Sequence, residues 1–407
     1  MLRSELIVYD RISEDKDILS VLNNAGEIHK SIHQHDFMAG LMRLAERYDL
    51  HDNLIQSLVT YVLVMHENPF TLACERGVDI DPALKALVMH DLVYFHDLVH
   101  RDYDELTEAN EAIFSHYPHT RPIINKEIFD LLSDLQDKLA ATDSVEAFYN
   151  VLLAHYQRYG VGRYGLNKAF RYVDGEIVSI DHIDDNVLED LIGYERQKER
   201  LVANTEAFLK GKKANNVLLY GDNGTGKSSS VKALLNRYYR DGLRMIEIYK
   251  HQFQSLPQII EELQSRHYRF IIFMDDLSFE EFETEYKYLK AVIEGGLEKK
   301  PDNVLIYATS NRRHLVKETW SERDTDEINA NDARQEKISL VSRFGVQILY
   351  THPTKKEYLS IVDGLAARAG LDMDPEQLHQ QAMAWELRNG GYSGRTAKQF
   401  ITYLTGK

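Results

Sequence analysis

The sequence predicts two regions of different class: an all-helical domain over residues 1–165, and over residues 191–407 an α/β P-loop domain with a parallel sheet and a helical lid. Three observations predict this. Apolar residues recur at three- and four-residue spacings through residues 15–158. After residue 215, short apolar runs that end in polar residues alternate with helical segments, the pattern of buried parallel strands and their crossover helices. Between the first such run and the first such helix stands Gly221-Asp-Asn-Gly224-Thr-Gly226-Lys227-Ser228, which fits G-x-x-x-x-G-K-[ST] at every fixed position.

In chain order, helical periodicity is carried by Phe37 to Leu50, Leu54 to Met65, Ala83 to Val99, Ile128 to Leu139 and Val145 to Tyr156, which predicts about six to eight helices. Asn68-Pro69 and Asp81-Pro82 are breaks, with Asp81 placed to cap a helix whose first residue is Pro82. Two histidine patterns stand out. His96-Asp97-Leu-Val-His100 sets two imidazoles on one helical face, but with aspartate where a metalloprotease has its glutamate base, and with no third-ligand signature. His66 with His90-Asp91 weakly resembles the ligand pattern of metal-dependent phosphohydrolases. For the first an ordinary half-exposed helix is the expectation, the second pattern carries little information, and Cys74 reads as a packed small hydrophobe. Phe170 to Ile180 reads as a hairpin turning at Asp174-Gly175. The acidic Asp181 to Asn186 comes next as linker, so residues 166–190 are expected to connect the two domains.

Composition narrows the function. The 407 residues are 43% apolar, ordinary for a globular protein, and a single cysteine excludes an intrachain disulfide and a multi-cysteine zinc cluster. Met1-Leu-Arg-Ser-Glu lacks a signal segment, and nowhere do about 18 uncharged apolar residues run together; a cytoplasmic protein with no membrane partner is expected. A formal charge of −16 argues against nucleic-acid binding driven by bulk charge.

The glycine-rich stretch carries the chemistry. Asn215 to Tyr220 is the strand, and the residues from Val231 continue as a helix. The backbone N–H groups of Gly221, Asp222, Asn223, Gly224, Thr225, Gly226, Lys227, Ser228 and Ser229 are then expected to hold ATP phosphates at the positive end of that helix. Lys227 is expected to reach the β- and γ-phosphates, and the Ser228 hydroxyl to ligate Mg²⁺. Phe270 to Met274, followed by Asp275-Asp276, reads as a Walker B strand with Asp275 on the metal side. Val304 to Ala308 and then Thr309-Ser310-Asn311 form another strand ending at the ligand edge, where Asn311 is placed to orient the attacking water. Further on come Ser342-Arg343-Phe344-Gly345, the strand Val346 to Tyr350, a helix from Lys355 to Ala369, and Gly391-Tyr-Ser-Gly394-Arg395 at the start of a last helix.

This order of motifs, from Leu191 to Lys407, resembles the AAA+ ATPases. Within them the chain is similar to a bacterial group of uncharacterised AAA-type proteins described by a domain of unknown function. That closer likeness lies in Asn215 to Ser230, Met274 to Glu281, Tyr307 to His314 and Glu67 to Glu75. The resemblance implies an AAA+ α/β domain over 191–352 and a lid over 353–407, with Ile192, Gly193 and Tyr194 against the adenine. It implies Asn311 as a first sensor, Arg395 as a second, and Arg343 as a finger offered to a neighbouring subunit's ATP, with Arg312 and Arg313 as alternatives. Guanidiniums serve because phosphoryl transfer spreads negative charge over the γ-phosphoryl oxygens and the leaving group.

One departure matters. Where most AAA+ enzymes carry Asp-Glu, this chain has Asp275-Asp276, so the acid expected to polarise water is one methylene shorter. Glu280 and Glu281 lie just beyond and read as solvated helix-start acids. The leading expectation is a Mg²⁺-dependent ATP hydrolase that assembles as a homo-oligomer and remodels an unidentified protein or nucleoprotein client. The alternative is a slow ATP-controlled switch or loader that recruits its partner through the helical domain. Phe279 and Phe282 are candidate client-facing aromatics, and the acidic stretch Glu318 to Glu336 a solvated insertion.

Overall fold

The computed structural model describes residues 6–27, 34–103, 117, 125–278, 285–294, 301–311 and 340–406. The chain divides into two compact units, Met1–Asn167 and Lys168–Lys407.

The first unit is helical among the described residues: α1 (Lys16–Glu27), α2 (Gln34–Tyr48), α3 (Leu54–Met65), α4 (Pro69–Glu75), α5 (Pro82–His100), α6 (Lys126–Ala140), α7 (Val145–Tyr159) and α8 (Gly162–Leu166). Polar residues outside each helix set its start. The Asn53, Asn125 and Ser144 side chains accept backbone N–H groups of the first turn, and Asn68 and Thr71 cap each other's backbone reciprocally. Asp81 accepts the Ala83 N–H at 2.8 Å with Pro82 at the first helical position. One core runs through the unit, with Tyr9, Phe37, Phe70, Phe95, Phe148 and Tyr156 fully buried.

The two histidine patterns have structural explanations. Asp91 is fully buried, and its carboxylate accepts the backbone N–H groups of Ile7, Val8 and Tyr9 at 3.0, 2.7 and 3.0 Å. It ties the N-terminal segment to α5, satisfying a buried charge with the donors that such burial demands. His96 and His100 stack with centroids 4.1 Å apart, and His100 Nδ1 lies 2.8 Å from the His96 carbonyl. Among the described residues no group of three or more His, Cys, Asp or Glu side chains is placed to hold a metal ion.

The second unit holds a seven-stranded sheet in the order β2-β1-β4-β5-β6-β3-β7. Its strands are β1 (Ala169–Val173), β2 (Glu176–Ser179), β3 (Val217–Gly221), β4 (Leu243–Glu247), β5 (Arg269–Met274), β6 (Val304–Ser310) and β7 (Val346–Tyr350). All pairs are parallel except β1 with β2. The central strands read as continuous apolar runs because helices cover both faces: β6 is buried at every position and β5 at all but its first. Flanking them are α9 (Glu195–Leu209), α10 (Lys227–Tyr238), α11 (Leu256–Gln264) and α12 (Glu285–Glu294).

The hairpin differs from its expected place in a connecting segment. Its arm β1 pairs in parallel with β4, Ala169 opposite Met245, so the hairpin extends the sheet, and Phe170 and Ile177 are fully buried. The compact units accordingly divide ahead of the hairpin, after Asn167, because two buried side chains and a strand ladder bind it to the second unit. The lid comprises α13 (Lys355–Arg368), α14 (Pro375–Asn389) and α15 (Gly394–Thr405), packed around Tyr358, Ile361, Val362, Leu378, Ala382 and Phe400.

Candidate nucleotide site

The parallel register brings the carboxyl ends of β3, β5, β6 and β7 to one edge, where open α/β sheets bind ligands. Leu219 lies opposite Thr309, Met274 opposite Ala308, and Gly221 opposite Tyr350. β6 therefore separates the strand that leads into the P-loop from the strand that ends in the acids.

At the end of β3 the chain turns sharply. Gly221 has φ +126°, and a Cβ there would lie 2.0 Å from the Tyr350 carbonyl oxygen, so only glycine lets β3 run this close to β7. Gly226, at φ +89°, leads into α10, whose first residue is Lys227. Lys227 is buried, and its Nζ donates to the carbonyls of Gly221 and Asp222 at 3.0 and 2.6 Å. Burial lowers its pKa below the ordinary lysine range, against the opposing pull of Asp222, Asp276 and Asp275. Ser228 and Ser229 occupy the first turn of α10, where backbone N–H groups have no partner within the helix.

The acids are tied to the neighbouring strands. Ser228 Oγ and Thr309 Oγ1 each donate to Asp275 Oδ1 at 2.5 Å, and the Asp276 N–H approaches the same oxygen at 3.1 Å. Asp276 sits at φ +50°, its N–H donating to Thr309 Oγ1 at 2.9 Å and its carboxylate accepting from Asn311 Nδ2 at 2.6 Å. The Ser228 hydroxyl and the Asp275 carboxylate, held together at the start of α10, are hard oxygen donors of the kind that Mg²⁺ takes alongside phosphate oxygens.

Residues 191–194 lie between the P-loop and the lid. The Leu191 side chain is 3.7 Å from where a Cβ on Gly226 would stand, and Ile192 Cδ1 fills the space above Gly364 of α13. Gly193 and Tyr194 both have positive φ, and the Tyr194 hydroxyl donates to the Thr351 carbonyl at 2.8 Å. The lid also touches the loop directly: the Arg395 N–H donates to the Gly224 carbonyl at 3.2 Å, and the exposed Asn223 precedes that glycine. Thr225 Oγ1 closes the loop from within by donating to the Asp222 carbonyl at 2.8 Å.

Arg343 is not brought to this cluster. It precedes β7, whose Val346 pairs with Val217 at the amino end of β3, so it lies at the opposite edge of the sheet from Gly221. The four-residue span from Val346 to Tyr350 alone is about 13 Å at the rise of a parallel strand. Arg312, Arg313, Phe279, Glu280, Glu281, Phe282 and the stretch Glu318 to Glu336 lie outside the described residues.

Two residues of the site were not foreseen. Thr309 joins the acids, and His352 donates its N–H to Asp222 Oδ2 at 2.6 Å while its Nδ1 lies 2.9 Å from the Tyr392 carbonyl. Thr309 carried a signal, as a hydroxyl two residues before Asn311 on a strand predicted to end at the ligand edge. His352 carried none.

Comparison with known proteins adds a family. Residues 166–407 match the family profile described as a protein of unknown function (DUF815), well over half of the chain. The chain belongs to the DUF815 family. No curated protein matches it. Among solved structures, this DUF815 protein is similar to the Thermotoga maritima RuvB Holliday junction branch migration motor, with 18% identity and TM-score 0.36 over 53% of this chain and 63% of that one. A variant of the same RuvB matches with 18% identity and TM-score 0.38, over 54% of this chain and 65% of that one. The chain thus spans a little under two thirds of the length of those structures. Their likeness covers about half of this DUF815 chain, whose own residues form a P-loop, a largely parallel sheet and a three-helix lid.

Proposed function

We propose that this chain is a Mg²⁺-dependent AAA+ ATPase that assembles as a homo-oligomer and couples ATP turnover to remodelling of a protein or nucleoprotein client. The observation that carries the proposal is the convergence of Lys227, Ser228, Asp275, Asp276 and Asn311 at one sheet edge through the 2.5–2.6 Å contacts among Ser228, Asp275, Asp276 and Asn311. ATP phosphates are assigned to residues 221–229, Mg²⁺ to Ser228 and Asp275, and the adenine to Ile192, Gly193 and Tyr194. The metal, when bound, neutralises charge on the phosphates.

The protein's own groups do the rest. The Lys227 ammonium holds the phosphate chain, and Asp276, oriented by Asn311, takes up a proton from the attacking water. Arg395, one residue into α15, links the nucleotide to the lid, so a change in the phosphates is felt where the Arg395 N–H meets Gly224. Arg343 lies too far from its own P-loop to serve it, which supports a finger acting on a neighbouring subunit.

A slower, switch-like ATPase is the second reading, favoured by the short Asp276 side chain. In the deciding experiment, ATP hydrolysis is followed across a protein concentration series, with light scattering in ATP and ADP, for wild type and Arg343→Ala. Rising specific activity, ATP-driven assembly and an assembled but inactive variant are expected. Flat activity from a monomer that Arg343→Ala leaves unchanged points to the switch.

A further inference from the structure

One hydroxyl bonds to both acids of this site, and it belongs to neither the P-loop nor the acid-bearing strand. Thr309 is the last but one residue of β6 and is buried. Its Oγ1 donates to Asp275 Oδ1 at 2.5 Å and accepts the Asp276 N–H at 2.9 Å, while its carbonyl accepts the Leu277 N–H at 2.7 Å. One residue thereby binds three consecutive positions of the turn at the end of β5.

A threonine hydroxyl has one proton and two lone pairs, so giving the proton to Asp275 leaves oxygen to accept from Asp276 and sets the direction of both bonds. The consequence for Asp276 is conformational. Its φ of +50° is a region that residues with a Cβ adopt sparingly, and it persists where the surroundings enforce it. The Thr309 hydroxyl does so from the backbone side, and Asn311 Nδ2, at 2.6 Å from Asp276 Oδ1, does so from the side-chain side. The consequence for Asp275 is orientational. Oδ1 collects Ser228, Thr309 and the Asp276 N–H, and three bonds to one oxygen fix the rotation of the carboxylate.

We propose that Thr309 is a positioning residue for both acids, holding Asp275 in the rotation that faces the metal and Asp276 in the left-handed turn from which its short side chain reaches water. This rests on the reading of the site as a Mg²⁺-dependent ATPase. It also gives the Asp276 departure a physical answer, since an acid one methylene shorter than glutamate has less reach and depends more on where its backbone is held.

The test compares Thr309→Val, which keeps the branched shape without the hydroxyl, with Thr309→Ala and with Thr309→Ser, which keeps the hydroxyl. Folding is checked by circular dichroism, and full-length protein is used throughout. Two quantities are read: kcat and KM for ATP, and the Mg²⁺ concentration needed for half-maximal binding of a fluorescent non-hydrolysable ATP analogue.

Removal of an outer partner of a metal-binding carboxylate lowers affinity or rate by about 10- to 100-fold. Thr309→Val and Thr309→Ala are expected to lose kcat on that scale with KM little changed, and to need correspondingly more Mg²⁺. Thr309→Ser is expected to stay within about 3-fold of wild type in both, well inside that 10- to 100-fold loss. Wild-type values for Thr309→Val and Thr309→Ala overturn the proposal, as does a Thr309→Ser protein as impaired as Thr309→Val. If wild type itself fails to hydrolyse ATP, the ATPase reading falls, while the Mg²⁺ titration still decides whether Thr309 orients Asp275.

Discussion

At Asp276 two residue-scale facts meet: the side chain is one methylene shorter than a glutamate, and the backbone that carries it is left-handed, at φ +50°. On the proposed chemistry, Asp276→Ala is expected to lower kcat by about 10²- to 10⁴-fold, the scale of a general acid–base contribution, while nucleotide affinity changes little. A steady-state ATPase assay with a separate binding titration checks this, and near-normal turnover would exclude Asp276 as the group that acts on water. Gly221 gives a prediction of a different kind. A Cβ there meets the Tyr350 carbonyl oxygen at 2.0 Å from a backbone φ of +126°, and neither atom is the end of a flexible side chain. Gly221→Ala is expected to cost about 3 kcal/mol or more in stability and to abolish nucleotide binding, because β3 and β7 must part at the mouth of the loop. A thermal melt and an ATP-analogue titration measure both effects.

At the scale of elements, the helical unit carries a pH dependence. His155, on α7, is 6% exposed, and burial pushes its pKa down to about 4. The unfolded chain takes up a proton near pH 6.5 whereas the folded chain resists until about pH 4, so stability is fully present above the unfolded pKa. It declines as pH falls through that window, by roughly 3 kcal/mol for the full shift. Urea unfolding of the full chain at pH 7 and at pH 4.5 is expected to show this loss, and His155→Leu to show less of it. Equal pH sensitivity in the two proteins would remove His155 from the explanation. The elements themselves were largely legible, because their determinants are local. The apolar runs of β3, β5, β6 and β7, the Asp81-Pro82 start of α5, and the glycines before Lys227 all act within a few residues. The features that stayed hidden depend on partners distant in sequence. The Asp91 carboxylate holds backbone groups more than 80 positions earlier in the chain, Thr309 reaches the acids across a strand register, and β1 joins the sheet by pairing with β4. Asp91 resembled a ligand motif because a buried acid and a metal-binding acid look alike in sequence; only the N–H groups of residues 7–9 distinguish them.

For the whole molecule the open quantity is how many chains make one working site. Each chain presents a nucleotide edge and, at the far end of the same sheet, Arg343, so on the proposed chemistry site and finger are matched only between chains. Two surfaces of that kind, unlike and at opposite ends, associate head to tail, which closes into a ring or continues as a helix. This arrangement calls for a mixing experiment. Lys227→Ala removes phosphate binding but keeps the finger; Arg343→Ala keeps the site but removes the finger, a loss of about 10³- to 10⁵-fold where such arginines act. Each variant alone is expected to be inactive. In an equal mixture, a site on an Arg343→Ala subunit meets a finger from a Lys227→Ala neighbour at about one interface in four, if the variants assemble at random head to tail. Activity is therefore expected to return to roughly a quarter of the wild-type level at the same total concentration, and to vanish on dilution below assembly. A mixture no more active than its two components places the finger within the chain that it serves, or removes Arg343 from the chemistry, and either result withdraws the oligomeric site.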